Sequence, residues 1–131
     1  MLHVMSDRES ELVQRRVVLP APPARVWSAL THAGELSAWF GAEVSLDPRP
    51  GARASFHWPD GRERGAVLEE VERPSLLSFR WLPFERWVDG ATRLVPATRV
   101  ELRLEPVEGG TMLTLEERRS RVTAMREARL G

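Results

Sequence analysis

The strongest constraint on the fold is a series of short segments of alternating apolar and polar residues, which extends from about residue 42 to residue 118. Residues 100–105 are typical, because every second side chain is apolar and the others are charged, as in an antiparallel strand with one buried face. Asp60-Gly61, Asp89-Gly90 and Gly109-Gly110 provide turns between such segments. This part of the chain is therefore predicted to form about six antiparallel strands.

The first Asp-Gly turn also predicts a register. If Asp60-Gly61 is a two-residue hairpin loop, Phe56 pairs with Gly65 and Ala54 pairs with Val67. The Phe56 ring would then cover the backbone that a glycine leaves exposed.

The second Asp-Gly turn, Asp89-Gly90, predicts a longer hairpin. It places Trp81, Phe79 and Leu77 on one face of the sheet. Their cross-strand partners on the same face are Thr98, Val100 and Leu102, in that order. The same register places Pro83 opposite Pro96, where proline interrupts the ladder. Residues 84–95 are therefore predicted to form a separate, more mobile flap.

The N-terminal part has a different pattern. Residues 1–11 are polar and are interpreted as a flexible lead-in, and residues 12–19 as a first strand. Pro23 is suited to the first turn of a helix that extends to about Thr31. A second short helix over residues 36–40 is expected to end at Gly41. Residues 12–131 are interpreted as a single α+β domain.

These residues resemble a known family. The segment PPARVWSALT at residues 22–31, followed by Leu36 and Trp39-Phe40, is similar to the opening motif of START-like (SRPBCC) domains. The most similar branch is named for the heat-shock protein 90 ATPase activator homologues. Later landmarks of that branch match in order and spacing, at Gly51, Asp60-Gly61, residues 65–69, residues 77–81 and residues 110–115.

The resemblance implies a helix-grip fold, in which a curved antiparallel sheet of about six to seven strands encloses an apolar cavity against a long C-terminal helix. Members bind lipids, polyketides, hormones or other apolar molecules, and some catalyse cyclisation or hydrolysis. This sequence departs from the pattern in three places. An extra residue near Glu69–Val71 indicates a bulge, and the segment 82–97 is longer than usual. Residues 119–130 are too short and too weakly apolar for the gripping helix, which is predicted to be truncated or absent.

Composition excludes several functions. Nineteen basic residues, all arginine, balance nineteen acidic ones, so the positive surface typical of nucleic-acid or membrane binding is not expected. The clusters around Arg62, Arg64 and Glu116-Glu117 are interpreted as solvated mixed-charge surface. Without cysteine, and with three widely separated histidines, no metal site is predicted, and no cofactor is expected. The chain is expected to be a soluble cytoplasmic protein, because charged residues interrupt the first thirty residues and the longest apolar run, residues 17–24, contains three prolines.

Candidate ligand-binding residues are mostly the large aromatic side chains predicted on the inner face or the flap. They are Trp27, Trp39, Phe56, Trp58, Phe79, Trp81, Phe84 and Trp87. Apolar pockets are lined in this way, although the same residues also fill the core of a small domain.

Two titratable residues are further candidates. Pairing of Val67 with Phe79 would place Glu69 beside Leu77 at the cavity rim, whereas a one-residue slip would send its carboxylate to solvent. His57 lies on a central strand and is expected on the solvated face.

Three hypotheses follow. The leading one is non-enzymatic binding of a small apolar or aromatic molecule between the sheet and the helices. The second is a protein-interaction module, either cochaperone-like or a homodimer formed through the open face of the sheet. The third is an enzyme of cyclase or hydrolase type that uses Glu69 or His57 as acid or base, with no catalytic residue assigned.

Overall fold

Two short helices and eight strands make up the part of the chain that the computed structural model describes, residues 12–32 and 35–119. In chain order they are β1 Leu12–Leu19, α1 Pro23–His32, α2 Glu35–Phe40, β2 Glu43–Leu46, β3 Arg53–His57, β4 Glu63–Glu72, β5 Leu76–Arg86, β6 Thr92–Leu94, β7 Thr98–Val107 and β8 Gly110–Arg119. The lead-in predicted at residues 1–11 lies outside the described residues. So does the segment predicted at residues 119–130, apart from Arg119.

Seven of the strands form one curved antiparallel sheet in the order β1-β8-β7-β5-β4-β3-β2, and β6 pairs only with β5. This arrangement confirms the predicted α+β helix-grip architecture. Among the described residues, no helix is long and apolar enough to cross a membrane.

The core lies between the inner face of the sheet and the two helices. Pro23 begins α1, and the carbonyl of Pro22 accepts the first helical hydrogen bonds. Gly41, at a φ of 64°, follows the end of α2. Val26, Trp27 and Leu30 of α1 belong to the buried core, and α1 packs against β7 and β8. The helices therefore cover part of the inner face.

The loop between β3 and β4 has three residues, so the register predicted from a two-residue loop is wrong by one position. The Trp58 amide donates to the Arg62 carbonyl, and Gly61 adopts a φ of 96° at the third loop position. Phe56 consequently pairs with Arg64 instead of Gly65, and Ala54 pairs with Ala66 instead of Val67. The inward-facing row of β4 is therefore shifted by one residue.

A hydrogen-bonded carboxylate reinforces this loop. Asp60 accepts from the backbone N–H of Arg62 at 3.0 Å and from its Nε at 3.0 Å. The backbone hydrogen bond lowers the pKa of the Asp60 carboxyl, because it favours the charged form.

The bulge predicted near Glu69 is confirmed by a shift of register between Leu68 and Glu70 on β4. The pairing predicted on either side of it is wrong, because Phe79 pairs with Leu68 and Val67 pairs with Arg80. β4 is therefore displaced by one residue from its predicted partners on β5, as it is on β3.

The hairpin of β5 and β7 has the predicted register, with Phe79 opposite Val100 and Leu77 opposite Leu102. Beyond it, the end of β5 turns back through β6, so residues 84–95, hereafter the flap, form the separate hairpin that the two prolines predict. The tip of the flap meets the β3–β4 loop, since a Cβ atom added to Gly61 would lie 2.7 Å from Val88 Cβ.

Candidate functional site

Five aromatic rings occupy the inner face near the ends of β3 and β5. They are Phe40, Phe56, Trp58, Phe79 and Trp81. The centroids of neighbouring rings are separated by 4.5 Å at the shortest, for Phe56 and Trp81, and by 6.3 Å at the longest, for Trp58 and Trp81. Phe56 and Phe79 are fully buried, whereas Trp58 is only partly buried. These rings touch one another directly, so the middle of this aromatic cluster is packed core and Trp58 forms its accessible edge.

A carboxylate lies beside the cluster on the same face. Glu117 Oε2 accepts a hydrogen bond from Trp81 Nε1 at 3.0 Å and another from Thr98 Oγ1 at 2.6 Å. Glu117 faces inward because it continues the alternation of the buried Leu113 and Leu115 along β8.

A guanidinium completes the polar group. The Arg64 guanidinium carbon lies 4.8 Å from the centroid of the Trp81 ring, within the range of a cation–π interaction. Its Nη2 donates to the carbonyl oxygens of Leu82 at 3.1 Å and Pro96 at 2.7 Å. Arg64, Thr98 and Glu117 are hereafter called the polar end of the inner face.

Burial determines the electrostatics of the polar end. Desolvation lowers the pKa of the Arg64 guanidinium, and the carboxylates of Glu85 and Glu117 oppose this effect. The cation is therefore held in a partly dry site between aromatic and acidic groups. Such a site offers both hydrogen-bond donors and an acceptor next to an apolar surface.

The flap joins this region through a stack of aromatic and arginine side chains. The Arg62 guanidinium carbon lies 4.9 Å from the Trp58 ring centroid and 5.7 Å from that of Trp87, and Arg93 lies 4.4 Å from Trp87. Arg62 also pairs with Glu85 at 3.7 Å. The stack attaches Trp87 of the flap to Trp58 at the edge of the aromatic cluster.

Two of the other predicted aromatic residues, Trp27 and Phe84, lie elsewhere. Trp27 is buried in the core on α1, and the side chain of Trp39 lies outside the described residues although its backbone belongs to α2. Phe84 is 43% exposed. Its position on β5, an odd number of residues from the inward-facing Trp81, places it on the outer face. Within the described part, the buried Nε1 atoms of Trp27 and Trp87 have no hydrogen-bond partner.

Glu69 does not lie at a cavity rim as the predicted pairing required. It follows the inward-facing Leu68 on β4 and so lies on the outer face, where it accepts from Arg80 Nε at 2.9 Å and Arg99 Nε at 3.1 Å. His57 also lies on the outer face, exposed, with its Nδ1 atom 3.6 Å from Glu63. The structure therefore separates both titratable candidates from the aromatic cluster.

Sequence reasoning missed the polar end. It assigned Arg64 and Glu117 to solvated charge clusters because oppositely charged residues adjoin them in sequence. The available signal for Glu117 was its position two residues after Leu115, which continues the inward phase of the strand. For Arg64, the signal depended on the register of the β3–β4 hairpin, and a two-residue turn gave the wrong phase.

A family model described as "Activator of Hsp90 ATPase homolog 1-like protein" matches residues 20–130. Among solved structures, DynU16, a protein of the dynemicin biosynthetic locus, is 26% identical with a TM-score of 0.66. The match covers 92% of this chain and 41% of that one, so this chain spans less than half of DynU16.

Two further structures are similar. CalU16 from Micromonospora echinospora is 29% identical with a TM-score of 0.52, over 81% of this chain and 56% of that one. Protein MLL2253 from Mesorhizobium loti is 22% identical with a TM-score of 0.66, over 88% of this chain and 82% of that one, and it supports the fold alone. No curated protein matches the chain significantly.

Proposed function

Because this chain belongs to the Activator of Hsp90 ATPase homolog 1-like protein family, we propose that it binds a small apolar or aromatic molecule on the inner face of its sheet. The proposed site is the edge of the aromatic cluster at Trp58 and Trp81, together with the polar end and Trp87 of the flap.

The observation that carries this proposal is the contact of the Trp81 indole with two partly buried side chains of opposite charge. Arginine and glutamate are rarely buried in a core, and removing them from water costs free energy that packing alone does not require. Ligand sites combine a mostly apolar wall with a few polar groups in this way. Arg64 and Glu117 beside Trp81 fit that description.

Each side chain has a chemical role in the proposal. Trp58, partly exposed at the edge, would pack against a planar or aliphatic ligand. Glu117 would accept a hydrogen bond from a ligand hydroxyl, and Arg64 would donate to a carbonyl or ring oxygen. We therefore infer a neutral ligand with an apolar body and one or two oxygen atoms.

The relatives support a ligand class. DynU16, which is 26% identical, belongs to a biosynthetic locus by its description. We accordingly propose an intermediate or product of small-molecule biosynthesis as the ligand. No catalytic role is assigned to any residue.

Thermal-shift and native mass measurements against lipids, flavonoids and polyketide-like aromatics test the proposal. We expect one apolar class to bind and Trp58→Leu to weaken its binding about tenfold, since loss of a ring contact and its area costs about 1.4 kcal/mol. Phe84→Leu is the matched control, because it removes an aromatic ring from the outer face, and it should leave affinity unchanged. Equal effects of the two substitutions, or binding of no apolar class, would contradict the proposal.

The same mass spectra test the protein-interaction hypothesis, which stays a prediction. A monomer alone at micromolar concentration would contradict a homodimer formed through the sheet. The cytoplasmic location also stays a prediction.

A further inference from the structure

A second concave surface lies on the outer face of the sheet, opposite the aromatic cluster. It is a groove of about 310 Å³ over β2, β3, β4 and the end of β5, within the range of small-ligand sites. Its floor is at Gly65, which has no side chain, and Ser55 lies directly opposite on β3. Its lining includes Phe56 and Arg64 of the inner site, but its other side chains lie mostly on the opposite face, because neighbouring residues of a strand point to opposite faces.

The charges along the groove are unbalanced in favour of cations. Two of the outward-facing residues that line it, Arg53 and Arg86, are cationic. One outward-facing residue of the lining, Glu63, is anionic. The shortest contact between Arg86 and Glu63 is 3.6 Å, which is longer than a hydrogen bond. The Arg53 guanidinium is exposed and makes no ion pair with any described carboxylate. One unpaired guanidinium, that of Arg53, and a second that is held by a single long ion pair thus face an anion in the groove.

One wall of the groove is aromatic. Phe84 lines it and is 43% exposed. The space into which a side chain at position 65 would project is occupied by Leu82, whose Cδ1 atom would lie 3.0 Å from an added Cβ. An aromatic ring of a ligand can therefore lie against the exposed Phe84.

We propose that this outer groove binds a small aromatic carboxylate, with its ring against Phe84 and its carboxylate held by Arg53 and Arg86. Guanidinium groups bind carboxylates through charge-assisted hydrogen bonds, often in pairs. Ser55 adds a neutral hydroxyl donor at the floor. The proposal is independent of the ligand on the inner face.

Titration with 2-naphthoate, followed by amide NMR spectra, tests this site. We expect saturable binding that shifts the backbone amide signals of Ser55 and Gly65, and weaker binding of the neutral analogue 2-naphthylmethanol. Arg53→Gln and Arg86→Gln should each weaken 2-naphthoate binding about tenfold, the usual effect of losing one charge-assisted hydrogen bond. Added salt should also weaken binding, because the guanidinium groups are exposed.

Arg103→Gln is the matched control, since Arg103 lies on β7, away from the groove, and pairs with Glu101. It should leave 2-naphthoate affinity unchanged. Unchanged affinity in the Arg53→Gln and Arg86→Gln proteins would overturn the proposal, provided their circular dichroism matches that of the parent. Shifts confined to the indole signals of Trp58 and Trp81, or no saturation at millimolar 2-naphthoate, would overturn it as well.

Discussion

Adjacent residues of this chain have opposite environments, and the difference is clearest at Glu116 and Glu117. Glu116 faces outward and accepts hydrogen bonds from Gln14 at 2.7 Å and Arg118 at 3.3 Å. Glu117 faces inward and holds the indole of Trp81 and the hydroxyl of Thr98. Exposed ion pairs contribute little to stability, whereas removal of a buried acceptor leaves its hydrogen-bond donors unpaired and destabilises the fold.

Glu117→Leu should therefore destabilise the protein by about 1–3 kcal/mol, because it leaves the Trp81 N–H and the Thr98 hydroxyl without their acceptor. Glu117→Gln retains an acceptor and should cost less. Glu116→Leu is the control and should change stability by less than about 0.5 kcal/mol. Urea unfolding at neutral pH measures all three. A cost for Glu116→Leu as large as that for Glu117→Leu would show that the inward carboxylate has no special role.

At the scale of elements, alternation and turn residues predicted the strands correctly, but not every register. The dipeptide Asp60-Gly61 is compatible with a two-residue loop and also with the last two positions of a three-residue loop. The second arrangement is found, and it shifts β4 by one residue. A separate pairing, of Val67 with Phe79, predicted Glu69 at a cavity rim, whereas Val67 pairs with Arg80 and Glu69 lies on the outer face.

The second hairpin shows why one register was predicted correctly. The flap turn also has three residues, since Trp87 N donates to Ala91 O and Phe84 pairs with Leu94. This turn shifts the flap pairing by one residue from the predicted register. One extra residue between Val95 and Thr98 compensates for the shift, so β7 pairs with β5 in the predicted register. Prolines at positions 83 and 96 interrupt the ladder where this adjustment occurs. Sequence patterns alone do not determine where such an offset is absorbed.

Two glycine substitutions test the contact between the flap tip and the β3–β4 loop. Both Gly61 and Gly90 have positive φ, at 96° and 89°, so alanine at either position costs about 1–2 kcal/mol. At Gly61 an added Cβ also lies 2.7 Å from Val88 Cβ, whereas at Gly90 it meets no atom within 4 Å. Gly61→Ala should therefore destabilise the protein more than Gly90→Ala in chemical unfolding. Equal costs would mean that the flap tip does not pack on the loop.

At the scale of the whole molecule, the sheet separates two kinds of surface. The inner face carries the aromatic cluster and the polar end, whereas the outer face carries paired charges such as Glu69 with Arg80 and Arg99. Aromatic residues on the inner face were predictable from strand alternation. The polar end was not, because its residues come from β4, β7 and β8, and their meeting depends on registers that the sequence leaves open. The central claim is that this polar end, beside Trp58 and Trp81, is where an apolar ligand binds.

The most direct test of that claim is an NMR titration of nitrogen-labelled protein with the aromatic compound that stabilises it most in the thermal screen. The indole N–H signals of Trp58 and Trp81 report on the site separately, since Trp58 donates to the Phe40 carbonyl and Trp81 to Glu117. If the ligand binds at the polar end, both signals shift together along one saturable curve, and Glu117→Gln weakens the binding. Saturable binding that leaves both indole signals unmoved would contradict the claim.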